Sequence, residues 1–189
     1  MSLKNSSTIS DYLEFDSTLN KAIKILKDEK DKNFKIAFLA LVGINVGLRI
    51  SDLINLTFED IERNNIMLIE IKTKKKRIIQ FNEHIMIAFE LFKNRSKSTT
   101  GKLFLSNQQK PFSTQYLNRA IKVMFGKRDL NVSTHSLRKT FGRRVWDNNQ
   151  QTDTALIYLS EIFNHSSIAV TRRYLGIRQE QLKDIYMNL

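Results

Sequence analysis

Apolar residues along this chain recur mostly at intervals of three and four, the period of a helix buried on one side. Leu19, Ala22, Ile23 and Leu26 form such a stripe and predict a first helix over about residues 17–29, with Ser17 as its N-cap. From Ile36 to Leu48 the chain is apolar almost all round, broken by Asn45, so a second predicted helix, about 32–46, lies deep in the core and Gly47 ends it. Leu48 to Leu56 reads as a short amphipathic helix that turns Ile50, Leu53 and Ile54 inward. The period then changes. Residues 66–72 and 77–81 are rich in β-formers and flank a four-residue basic connection, which predicts a hairpin entered through a turn at Asn64-Asn65. Helical spacing returns over about 82–94, 113–125, 135–148, 153–163, 168–175 and 178–188, with Ser113 and Thr134 as caps. The elements add up to one α+β domain, mostly helical, with a small antiparallel β-hairpin at one edge.

Composition agrees with a folded chain: 41% of the 189 residues are hydrophobic and 26% charged, with one proline and six glycines to interrupt the pattern. Residues 1–10 are polar and are expected to be a flexible N-terminal segment; residues 11–178 would form the domain and 179–189 a tail helix with Leu182, Ile185, Tyr186 and Leu189 on one stripe. The charge changes the picture further. Lys and Arg number 31 against 19 for Asp and Glu, a net charge of +12, which favours a polyanionic partner if the excess gathers on one face. The absence of cysteine excludes disulfide scaffolds, thiolate nucleophiles and Cys-ligated zinc. The Ile36 to Leu48 run is too short for a bilayer, which needs roughly 20 residues, and no signal peptide opens the chain, so a cytoplasmic protein is expected.

Two groups of polar residues could carry chemistry. In Thr134-His135-Ser136-Leu137-Arg138, His135 and Arg138 share one face, a turn from a helix N-terminus, where an imidazole and a cationic fork suit a phosphate. His165 and Tyr174 lie nine residues apart, which on one continuous helix would put them on opposite faces. Ser166-Ser167 offers the needed break: a serine cap there starts a new helix, with His165 at the corner and Tyr174 two turns down, free to converge.

Taken in order, Gly47-Leu48-Arg49-Ile50-Ser51-Asp52-Leu53, a basic hairpin beginning at Lys72, His135-Ser136-Leu137-Arg138, and Asn164-His165 followed by Tyr174 resemble the tyrosine recombinases, or phage integrases, over about residues 15–178. The resemblance implies the DNA breaking-rejoining catalytic fold and cleavage through a covalent 3′-phosphotyrosyl bond. It makes Arg49 and Arg138 the grip on the scissile phosphate and His165 a third donor. It makes His135 the residue that manages the proton, Lys72 the general acid, Tyr174 the nucleophile and Asp52 a brace behind the site. Lys74, Lys75, Lys76 and Arg77 of the hairpin, with Lys139, Arg172 and Arg173, are candidate contacts to DNA. Double-stranded DNA is the implied partner, bound by a homotetramer through tail helices, with no cofactor or metal.

Several positions depart from the family pattern. The hairpin connection has no glycine, and Lys74 rivals Lys72 as the acid. Asn164 replaces a frequent glycine, and Lys139 stands where many relatives have a histidine. Fewer than twenty residues precede the first helix, which fits either an excised catalytic fragment or a small single-domain relative. Type IB topoisomerases share a similar residue set, and a DNA-binding module without chemistry would use the same basic groove.

Overall fold

Helix α2 (Phe34–Val46) is apolar almost all round, and the folded chain buries ten of its thirteen residues. The structure, a computed structural model, describes residues 10–188; the segment expected to be flexible lies, up to residue 9, outside the described residues, as does Leu189 of the tail stripe. Around α2 pack α1 (Phe15–Lys27), α5 (Glu83–Arg95), α6 (Thr114–Phe125) and α7 (Thr134–Asn148). Their shared core is strongly aromatic: Phe38 stacks on Phe92 with centroids 4.5 Å apart and on Phe89 at 6.0 Å, and Phe58 and Phe104 close the cluster. Gly47 ends α2 in the left-handed conformation, φ 60°, as the sequence predicts. Short helices α3 (Ile50–Leu53) and α4 (Phe58–Glu62) lead into the hairpin; α4, absent from the hydrophobic pattern, is announced by a capping box between Thr57 and Asp60.

Two expected caps are corrected. Helix α1 starts ahead of Ser17, because the Glu14 carboxylate accepts the Asp16 and Ser17 backbone N–H groups at 3.0 and 2.5 Å. Helix α7 is capped by Ser133 rather than Thr134: Ser133 Oγ accepts from His135 N at 3.2 Å and Ser136 Oγ from Ser133 N at 3.1 Å.

The hairpin pairs β1 (Asn65–Ile69) with β2 (Lys76–Gln80) in antiparallel register, Ile66 facing Ile79 and Leu68 facing Arg77. Its connection runs over residues 70–75, longer than the four residues expected. The ladder stops early because the Ile71 N–H goes to Asp52 Oδ1, 2.8 Å away in α3, and because Lys74 takes a left-handed conformation, φ 57°, with its N–H on the Glu70 carbonyl at 2.9 Å.

The C-terminal part adds α8 (Asp153–Phe163), α9 (Ile168–Leu175) and α10 (Ile177–Met187) around a second apolar cluster: Trp146, Ala155, Leu156, Leu159, Phe163, Leu175 and Ile177. The break between α8 and α9 forms as predicted: Asn164 is left-handed, φ 53°, and Ser167 Oγ caps α9 through Val170 N at 3.3 Å. Gly142 of α7 admits this unit, since a Cβ there would stand 2.6 Å from Leu175 and 2.9 Å from the Phe163 ring. Helix α10 is held at its start by buried Ile177 and by Glu180, which pairs with Arg143 at 2.7 Å, while Leu182, Ile185 and Tyr186 are exposed. No described helix is long and apolar enough to cross a membrane.

Candidate active site

Phe163, the last residue of α8, is the point on which the site converges. Its carbonyl oxygen, left without a helical partner at the C-terminus, accepts from Arg49 Nη2 at 3.0 Å and from Arg138 Nη2 at 3.1 Å. One peptide oxygen therefore sets the spacing of two guanidiniums that are 89 residues apart in sequence (138 − 49). The Phe163 ring lies under the Arg138 guanidinium at 4.4 Å, and it meets the His165 ring tilted at 5.4 Å and the Tyr174 ring edge-on at 5.5 Å.

The arginines are fixed at their other ends too. Arg138, 4% exposed on α7, donates through Nη1 to the Gly47 carbonyl. Gly47 permits this because its left-handed turn brings the backbone against Phe141, whose ring would lie 2.3 Å from a Cβ. Arg49 precedes α3 in extended backbone, and its Nη1 pairs with Glu70 Oε2 at 2.6 Å. Each guanidinium nitrogen held this way carries a second N–H, so both side chains are preorganised and still able to donate. Burial first, then the charges of Arg49 and Arg77, lowers the pKa of Arg138 to about 10 against the favourable influence of Tyr174. It remains a cation at neutral pH.

His165 follows at the corner. Its Nδ1 meets Thr171 Oγ1 of α9 at 3.0 Å, which orients the ring and leaves Nε2 available. Burial, then Arg138 and Arg49, depresses its pKa to about 4, so it is a neutral imidazole near pH 7. Tyr174 packs edge-on against His165 at 5.1 Å, and Lys139, itself 5% exposed, holds its ammonium 5.3 Å over the phenol ring. The phenol oxygen is enclosed, with no hydrogen-bond partner among the described residues. Burial raises its pKa to about 12, against the opposing pull of Arg138 and Arg49. The sequence places this phenol free to meet a phosphate; the folded chain brings it to the right neighbours but shields it.

His135 lies at the solvent-facing edge of α7. Desolvation, followed by the charges of Arg138, Lys139, Lys72 and Arg49, holds its pKa below the ordinary value. The same influences put Lys72 within electrostatic reach of the group, on the exposed hairpin turn. Asp52, 5% exposed, braces that turn from α3 through Ile71 N. Of the other basic candidates, Lys74, Lys75, Lys76 and Arg173 are exposed, and Lys75 reaches the Asn164 side chain. Arg77 instead donates to the Val46 carbonyl at 2.6 Å and lies 3.7 Å from Glu70, Arg172 pairs with Asp153, and Lys139 is buried, so these three differ from the surface contacts expected.

Two contributors escape the motif reading. The Phe163 carbonyl is a backbone group, invisible in a list of side chains. Glu70 had a signal: Ile66, Leu68 and Glu70 share the inward phase of β1, and an acid on that phase needs buried cations. Its carboxylate takes Arg49 and Thr73 Oγ1, at 2.7 Å, and although burial works against the charge, the Thr73 hydroxyl, Arg49 and Arg138 hold its pKa below the ordinary range.

Comparison with known proteins places the chain. It is 32% identical over 173 residues to the probable integrase/recombinase YoeC of Bacillus subtilis (strain 168), covering 89% of this chain and 92% of that one. It is 28% identical over 180 residues to a tyrosine recombinase of Agathobacter rectalis, covering 90% of this chain and 58% of the longer relative. The crystal structure of XerA recombinase shares the fold, with a TM-score of 0.67 at 22% identity over 99% of this chain and 66% of the other. A sequence profile of the phage integrase family matches residues 16–181, and the chain belongs to that family, the tyrosine recombinases.

Proposed function

We propose that this chain is a site-specific DNA recombinase that cuts and rejoins strands through a covalent bond between Tyr174 and a DNA 3′ phosphate. The observation that carries the reading is the convergence of Arg49 and Arg138 on the Phe163 carbonyl, with His165 and Tyr174 packed against the same residue. Attack on a phosphodiester builds negative charge on the phosphorus oxygens, and donors fixed beforehand lower that barrier. Arg49 and Arg138 supply them, and the neutral His165 adds an Nε2–H in the tautomer whose Nδ1 accepts the Thr171 hydroxyl.

With a pKa of about 12, Tyr174 is ionised at pH 7 in only about one molecule in a hundred thousand, so without DNA the nucleophile is switched off. Phosphate docking draws the phenol out toward the arginines, and His135, neutral at pH 7, takes its proton. The phenol oxygen bonds to phosphorus as the bond to the 5′ oxygen breaks, and Lys72 protonates that departing oxygen. One phosphodiester replaces another, so a 5′ hydroxyl attacking the phosphotyrosine reverses the step without ATP.

The partner in this reading is duplex DNA, contacted by exposed Lys74, Lys75, Lys76 and Arg173. Residues 11–178 act as the catalytic unit in the cytoplasm. Leu182, Ile185 and Tyr186 of α10 dock on a neighbouring copy in a tetramer assembled on DNA. The decisive experiment presents nicked duplexes with a randomised centre and sequences those captured in SDS-stable adducts. Adducts of one defined sequence that disappear in Tyr174→Phe, with DNA binding kept, are expected; adducts of every sequence would turn the reading toward a topoisomerase. If Tyr174→Phe still forms the adduct, the nucleophile is another residue and the reading falls.

A further inference from the structure

Lys72 has a long flexible side chain on an exposed turn, so its ammonium reaches a fixed point only if the backbone beneath it is held. Both of its neighbours are held. On one side the Ile71 N–H donates to Asp52 Oδ1 at 2.8 Å. On the other, Thr73 Oγ1 donates to Glu70 Oε2 at 2.7 Å, and the same oxygen accepts from Arg49 Nη1 at 2.6 Å. A single carboxylate oxygen thus joins one phosphate-facing arginine to the residue after the general acid.

We infer that Glu70 is a positioning residue, tying the hairpin turn to Arg49 so that Lys72 meets the leaving 5′ oxygen of the phosphate that Arg49 grips. The inference rests on Lys72 being the general acid. Glu70 does not act on DNA itself: its side chain is 3% exposed and lies between Arg49 and Arg77. Nor does it merely neutralise charge, since a carboxylate placed for that purpose alone has no need of the Thr73 hydroxyl. An acid displaced by as little as 1 Å loses much of its contribution, which is why a tether behind the site matters to the rate.

The test compares two versions of the captured duplex, one with the natural bridging oxygen and one with sulfur in the 5′ bridging position. A thiol ionises near about 8.5, so the sulfur departs without a proton from Lys72. Glu70→Gln should slow adduct formation by about tenfold or more on the oxygen duplex, and by less than about threefold on the sulfur duplex, with DNA affinity within about twofold of the unaltered chain. Thr73→Val, which cuts the tether and spares the ion pair, should show the same rescue at smaller size and covers the case in which Glu70→Gln fails to fold. Lys72→Ala is the reference. If sulfur does not rescue Lys72→Ala, the acid is another group, and that reading and this inference fall together. If sulfur rescues Lys72→Ala but Glu70→Gln and Thr73→Val are equally slow on both duplexes, or as fast as the unaltered chain on both, this inference alone is overturned.

Discussion

The chain divides its hydrophobic surface unequally. The larger cluster wraps α2 and carries stacked phenylalanines; the smaller, centred on Phe163 and Leu175, joins only α8, α9 and the starts of α10 and the last turns of α7. The candidate site residues draw on both clusters. Arg49 and Arg138 leave the chain beside Leu48 and Leu137 of the larger cluster and reach Phe163 of the smaller, against which Tyr174 and His165 also pack. Local stability tracks buried apolar contact, so the larger cluster is expected to open last and the smaller, which carries Tyr174 and the Phe163 carbonyl shared by both guanidiniums, to open first. In the proposed mechanism, the phenol that leaves its enclosed position sits where movement costs least.

The strongest test of that contrast removes an aromatic ring from the larger cluster. Phe38→Ala should lower global stability by about 3–5 kcal/mol in urea unfolding; a loss below about 1 kcal/mol would mean that this core does not hold the domain together. Next comes the seam. Gly142→Ala forces a methyl against Leu175 and Phe163, at a cost of about 1–3 kcal/mol. Amide exchange should accelerate in residues 153–187, stay slow in 34–46, and adduct formation should fall; equal acceleration in both would make the two regions one cooperative unit.

A smaller effect is expected from acid. His165 titrates at about 4 in the folded chain against an ordinary 6.5, so below 6.5 the unfolded chain takes up a proton that the folded chain refuses. Stability contributed by the neutral ring is complete above 6.5 and declines as the pH falls toward 4. His165→Gln should flatten the dependence of the urea midpoint over that window, and an unchanged slope would remove His165 as its source. Least of all, Lys74→Gly relieves a left-handed lysine, φ 57°, and should add about 0.5–1 kcal/mol in urea unfolding while weakening DNA binding and leaving the rate of adduct formation at saturating DNA unchanged. A lower rate at saturating DNA that a 5′ bridging sulfur restores would move the acid from Lys72 to Lys74.

Periodicity located the elements well where the buried face was continuous, as in α2, α8 and α9, and the Ser166-Ser167 break was legible because a cap chemistry marks it. Edges were harder. Ser17 and Thr134 are good capping residues that lost to Glu14 and Ser133, because which side chain reaches the free N–H groups depends on backbone direction before the helix. The hairpin connection was misjudged for a tertiary reason: Asp52 takes the Ile71 N–H that local pattern assigns to a strand. In the site, the order of Arg49, His135, Arg138, His165 and Tyr174 was readable by resemblance. Enclosure of the phenol, burial of Lys139 and the inward use of Arg77 were not, since each depends on what packs against it from elsewhere.

The oxygen shared by Arg49 and Arg138 belongs to the main chain, and a codon change cannot delete it. The separation of the two cations is therefore inherited through the path of the polypeptide at the end of α8, where Asn164 turns left-handed, rather than through any one side chain. Drift in surrounding composition can proceed while that bend survives, and chemical synthesis offers a direct probe: replacing the 163–164 amide by an ester weakens the acceptor without altering a single side group.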